Sequence, residues 1–282
     1  MTTPDANASG EAKPESRIKI EILDASGKVI RTYPPKHPPT PEADEGFGRQ
    51  KPEELPTEAG INRFVWDLHY EPVPRIPNSP LWGGSTEGPL ALPGDYQVRL
   101  TVDGKSQTQA FKIVPDPRLK VSAEDLKKQF NLMQQILGKV TQVHDAVRQI
   151  RDIRAQMATL DRRLKDDKNP NAKALADAGK DLDKKMTTVE EALIQTKSKS
   201  GQDVLNYPIR LNNLLVALGG VVSSADAAPT KQDYEMYEDL SKQADEQLSK
   251  WSEIVKTDLA AYNKLAQEKS IPAVGLAPAT EE

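Results

Sequence analysis

Gly60-Ile61-Asn62-Arg63-Phe64-Val65-Trp66-Asp67-Leu68 and Pro93-Gly94-Asp95-Tyr96-Gln97-Val98-Arg99-Leu100 decide the fold class. Each stretch follows a glycine turn and alternates apolar with polar residues. That is the period of a half-buried strand, one face packed and one wet. Phe64, Trp66 and Leu68 share one face, and Tyr96, Val98, Leu100 and Val102 share another. Trp66 is therefore expected as the central aromatic between two sheets. From Ser122 onward the apolar period lengthens to three and four residues and holds almost to the end. The chain reads as α+β: an N-terminal β-sandwich followed by an antiparallel four-helix bundle.

Working outward, Ile18, Ile20 and Ile22 alternate with Lys19 and Glu21, which gives a first strand. Asp24-Ala25-Ser26-Gly27 is a turn, and Lys28 to Tyr33 returns as the second half of a hairpin. Residues 34–59 are crowded with proline and acid and read as an exposed insert between strands, because proline removes ladder donors. A second proline-rich crossing, Glu71 to Leu92, holds Trp82-Gly83-Gly84. Asp103-Gly104 is a tight turn, and Ala110 to Val114 fall on the last strand. Pro115-Asp116-Pro117 ends the sheet.

In the helical half, Ser122 is an N-cap with Asp125 at the third helical position. Ile136, Val140, Val143, Val147, Ile150, Met157, Leu160 and Leu164 form a coiled-coil-like seam. Asn169-Pro170 breaks this helix, and Leu175 to Thr196 continues the spacing in a second. A third helix, Leu211 to Val222, is apolar around most of its circumference and should be the most buried. A fourth starts at Pro229-Thr230 and lines Tyr237, Leu248, Trp251, Leu259 and Tyr262 along one side. The expected organisation is a polar tail at 1–16, a sandwich at 17–117, a bundle at 118–270 and a second tail at 271–282.

Composition narrows the function classes. The net charge is −4 with both signs interspersed, and no basic stripe is present to neutralise a phosphate backbone, so nucleic acid is not an expected partner. The chain has no cysteine, which excludes disulfides and thiolate chemistry. No apolar run reaches the ~18 residues of a membrane span. Met1 to Ser16 lacks the apolar core of a signal peptide.

The first half resembles the immunoglobulin-like domain of the flagellar hook-capping family. The matching residues are Asp24 to Arg31, Gly60 to Asp67 and Leu92 to Leu100. The whole order is similar to the C-terminal region of bacterial proteins with an N-terminal Asp-box propeller, usually labelled BNR-repeat glycosyl hydrolase-like or sortilin-type. The sheet is followed by Asp116-Pro117-Arg118, Ser122 with Asp125-Leu126, Ala146-Val147-Arg148-Gln149-Ile150-Arg151, and then Pro229-Thr230, Tyr237, Trp251 and Tyr262-Asn263. The resemblance implies an extracytoplasmic protein. The propeller that would hold glycosidase-like chemistry has no counterpart here, and no Ser-x-Asp-x-Gly-x-x-Trp box occurs. No catalytic residue, cofactor site or metal site is therefore carried over.

The residues themselves favour the same non-enzymatic reading. His37, His69 and His144 are scattered, whereas zinc needs convergent ligands. Carboxylate pairs such as Glu124-Asp125, Asp166-Asp167 and Glu190-Glu191 sit beside lysines on helix faces, the pattern of solvated i,i+4 pairing. Trp82 with Tyr70 and His69 is the one aromatic group able to form a sugar-stacking platform, set against the plainer expectation that Trp82 folds back onto the protein. The sandwich edge beside Ile18 to Leu23 is expected to be uncovered, and so to bind a propeller-bearing protein or to self-associate.

Overall fold

The computed structural model describes residues 18–34, 55–56, 59–164, 170–268 and 274. The N-terminal tail, most of the proline-rich insert 34–59 with His37, and the C-terminal tail apart from Val274 lie outside the described residues; Val274 is buried in the helical core, where its N–H and carbonyl bond the Asn263 side chain. The protein is of mixed class: an N-terminal four-stranded antiparallel sheet and a C-terminal set of four helices. The chain divides into two compact units, and the division is not sequential. The sheet unit holds Gln50–Asp67 and Gly94–Val114 with the N-terminal hairpin, while Leu68–Pro93 belongs to the helical unit.

In the sheet unit, β1 (Ile18–Asp24) and β2 (Val29–Tyr33) form the expected hairpin. Asp24 Oδ1 accepts from the Ser26 and Lys28 amides, and Gly27 takes φ +84°, where a side chain would be strained. β3 (Gly94–Val102) and β4 (Lys105–Ile113) form a second hairpin through Asp103 and Gly104, whose φ values of 49° and 80° suit a type I′ turn. The strand order is β2-β1-β3-β4. β1 therefore lies in the middle, paired with β2 on one side and β3 on the other, and the expected open edge at Ile18 to Leu23 does not exist. Both faces of β1 are packed, with Ile22 on one and Glu21 and Leu23 on the other. Glu21 is buried opposite Arg99, its register partner, which donates to it at 2.7 Å, and Lys19 adds a second contact at 2.9 Å. The Arg99 hydrogen bond holds the Glu21 carboxyl below its usual range.

Gly60 to Asp67 is extended but takes no place in this ladder. It lies over one face of the sheet as a row of aromatic contacts. Phe64 packs edge-on to Tyr33 of β2 at 4.6 Å, and Trp66 meets Tyr96 of β3 and Phe111 of β4, each at 6.1 Å. Trp66 is half-buried, and among the described residues no second sheet encloses it. The alternation was real, but it came from a segment crossing strands instead of pairing with them. Leu68 leaves the Phe64–Trp66 face altogether. It adopts φ +65° at the corner where the chain departs for the helices.

The helical unit begins at α1 (Ala123–Leu164), whose first turn is capped by Ser122: its Oγ accepts from the Asp125 amide at 3.0 Å. α2 (Pro170–Leu193) follows, then a 3₁₀ turn (Gly201–Leu205) and α3 (Leu211–Val222). α4 (Lys231–Ile254) is opened by a capping box between Thr230 and Asp233. It runs through a π turn (Val255–Leu259) into α5 (Ala260–Glu268), so the fourth helical stretch is continuous with one wide turn in it. The seam foreseen on α1 is the centre of the core: Ile136, Val140, Val143, Val147 and Ile150 are fully buried, with Met186, Leu193, Leu215 and Tyr262 from the other helices. α3 is, as expected, the helix with the largest buried share: Leu211, Leu215, Val216, Leu218 and Val222 are buried, while Leu214 and Val221 are exposed.

Candidate functional site

The second proline-rich crossing is a strap over the helices, not a loop of the sheet. Its two arms are tied by main-chain bonds from Tyr70 N–H to Pro89 O (3.1 Å), Val73 N–H to Thr86 O (2.8 Å) and Ala91 N–H to Leu68 O (2.8 Å). Gly88 lets the arms close, because a Cβ there would stand 2.4 Å from the Tyr70 carbonyl oxygen. Between the arms, Val73 and Ile76 enter the helical core and Leu81 packs against it.

One stripe of α1 holds the strap's carbonyls. His144 Nδ1 lies 3.0 Å from Pro74 O, Arg148 donates to the same oxygen, and Arg151 donates to Pro77 O. A carbonyl only accepts, so Nδ1 of His144 carries the proton. Nε2 is buried without a partner, and burial pushes the imidazole pKa down to about 4. Proline suits these positions: its carbonyl is free to accept while its missing N–H needs no partner. Further along α1, Arg151 and Arg154 both bond the buried Glu190 of α2 at 2.7 Å, and Arg154 also reaches Asp183 at 2.6 Å. Gln149 accepts from the Trp251 indole at 2.9 Å, and Ala146, Val147 and Ile150 are buried. Every residue of Ala146–Arg151 thus has a structural partner.

Trp82-Gly83-Gly84 is the strap's second anchor. The buried Asn213 side chain of α3 accepts from the Trp82 N–H at 2.8 Å and donates back to the Trp82 carbonyl. Gly84 sits so close to α3 that a Cβ would fall 2.2 Å from the Val216 carbonyl oxygen, and its Cα is 3.1 Å from where a Cβ of Gly220 would lie. Trp82 is left half exposed, at 51%. Tyr70 packs edge-on to Phe130 of α1 at 5.1 Å, and His69 Nδ1 lies 2.7 Å from Gly88 O. The three candidate sugar-contact residues are therefore held by different anchors: His69 within the strap, Tyr70 by α1 and Trp82 by α3. Of these, Trp82 is the most exposed.

Sequence reasoning missed the anchors Asn213 and Gly220, and missed what His144, Arg148 and Arg151 hold. A buried-spaced asparagine on an otherwise apolar helix was the available signal, since such a group needs partners. Among the described residues no three His, Asp or Glu side chains gather closely enough to share a metal ion, and no helix is long and apolar enough to cross a membrane. No family model, curated protein or solved structure matches the chain.

Proposed function

We propose that the chain is a non-catalytic accessory or interaction module, akin to the C-terminal part of extracytoplasmic BNR-repeat glycosyl hydrolase-like proteins. In this reading the sheet unit is a reduced immunoglobulin-like sandwich and the helices are an antiparallel four-helix bundle that carries it. One observation supports the non-catalytic half of the reading above others. The charged cluster most like a catalytic centre, Arg151, Arg154, Asp183 and Glu190, is closed on itself and on the strap's carbonyl. General acid–base work needs a carboxyl free to take and give a proton at a cleft. Highly purified protein is expected to leave chromogenic glycosides and polysaccharides intact; turnover would reject the reading. The partner half is tested by mixing the protein with the product of any neighbouring Asp-box propeller gene and following co-elution.

A carbohydrate-binding role is the second reading, and the half-exposed Trp82 on its rigid anchor is what favours it. A ring fixed at its backbone loses little entropy on stacking. Polysaccharide titration should then quench tryptophan fluorescence in the native chain and not in Trp82→Ala.

A further inference from the structure

The sheet has two outer strands, and they are finished differently. β2 is short, its register with β1 shifts at Ile22/Leu23, and its Arg31, Thr32 and Tyr33 take part in further interactions. Among the described residues β4 has neither the shortness nor the register shift of β2, and its edge charges, Lys105 and Lys112, stand near its two ends. It pairs with β3 in one unbroken register from Val102↔Lys105 to Gly94↔Ile113, contains no proline or bulge, and is exposed along nearly its whole length. Natural edges are usually blunted by such devices.

The type I′ turn fixes which main-chain groups are free. Val102 and Lys105 flank it and form a hydrogen-bonded pair, so Lys105, Gln107, Gln109, Phe111 and Ile113 direct their N–H and C=O toward β3. Those of Ser106, Thr108, Ala110 and Lys112 point away from the sheet, where the Ala110 carbonyl takes a long bond of 3.5 Å from the exposed Gln109 side chain, which a pairing strand would displace. The chemistry that satisfies them is another extended backbone.

We propose that β4 pairs antiparallel with β4 of a second copy of this chain, about a two-fold axis at Gln109. This register places Thr108 opposite Ala110 and Ser106 opposite Lys112, so every outward N–H and C=O on both strands meets its complement. It also sets both lysines away from each other: Lys112 faces Ser106, and Lys105 faces Ile113. β4 carries no acidic side chain, so a parallel or slipped self-pairing gains no ion pair to compete with this one. A two-fold edge contact is self-complementary, as a closed dimer requires. The contact is smaller than the ~1,600 Å² of a standard interface, so the association belongs to the weak class. The inference goes beyond the proposed function, because it needs neither a propeller nor a sugar.

The test is sedimentation equilibrium of the full chain up to about 1 mM, a concentration suited to weak association, paired with amide exchange at low and high concentration. A concentration-dependent dimer is expected. Protection should rise at Ser106, Thr108, Ala110 and Lys112 and stay unchanged at Gln107, Gln109 and Phe111. Thr108→Pro removes one outward N–H without touching the β3 ladder and should weaken the dimer at least tenfold. A monomer throughout the range overturns the proposal. So does a dimer whose new protection lies elsewhere, or one that Thr108→Pro leaves intact. If that variant misfolds, the alternating protection in the native chain still decides.

Discussion

His144 stakes part of the fold on staying neutral. Its ring is buried, one nitrogen holds the strap at Pro74, and the other has no acceptor for a second proton. The charged groups around it are Arg148 and Arg75, which oppose protonation, and Asp145, which favours it. Burial dominates and depresses the folded pKa from 6.5 to about 4. The unfolded chain therefore binds the proton first as pH falls. Stability is full above about pH 6.5, declines toward about pH 4 and loses about 3 kcal/mol over that window. Chemical denaturation at pH 7 and pH 4.5 should show the loss, and His144→Gln should flatten this part of the profile. Tyr262 makes the opposite point. Its hydroxyl is buried without a partner, and burial pushes its pKa up to about 12. Removing an unsatisfied buried hydroxyl relieves its desolvation cost, so Tyr262→Phe should be neutral or stabilise by up to ~1 kcal/mol. A thermal melt that falls by several degrees would contradict this. Gly84→Ala should destabilise, by roughly 2 kcal/mol or more, since it combines a positive φ with a collision on the α3 backbone; its amide exchange at Val73 and Trp82 should quicken.

The elements were legible in the sequence where a single local rule governed them. Asp24 to Gly27, Asp103-Gly104, Ser122 with Asp125, and Thr230 after Pro229 each specify a turn or cap through their own side chains, and the structure places them so. Helix positions followed from apolar spacing for the same reason. What failed was assignment of partner. Phe64 and Trp66 alternate like a strand because one side of the segment is packed, but alternation is blind to whether packing comes through a ladder or across one. The ring contacts make Trp66 a cover over Tyr96 and Phe111, so Trp66→Ala should cost about 2 kcal/mol, less than the ~3–5 of a fully enclosed tryptophan. Urea titration of that variant distinguishes the two. The strap was illegible for a related reason. Prolines with few apolar neighbours signal exposure, yet Val73 and Ile76 are core residues, and the bonds that seat them come from carbonyls common to all residues. Trp82, Tyr70 and His69 lie within one crossing of the sequence, but their anchors are spread over three elements.

On the scale of the whole molecule, the strap makes the helical unit depend on sequence far from its helices. A fragment beginning near Val121 lacks Val73, Ile76 and Leu81 and leaves Asn213 and His144 without their strap partners. It should still form helices, but with a thermal midpoint clearly below that of the full chain, and a synthetic peptide covering 68–93 should recover part of the difference. A fragment as stable as the intact protein would show that the strap is merely draped on the helices.

The interrupted course of the chain also bears on inheritance. The first hairpin of the sheet lies before the strap and the second after it, so one cut cannot release the sheet as a unit, and one crossover cannot graft it onto another protein. Exchange at Pro115 carries the strap away from the helices it seals, and exchange at Asp67 splits the sheet between its two central strands. Relatives of this protein should therefore gain or lose sheet and helices together, while acquiring other domains only at the ends of the pair.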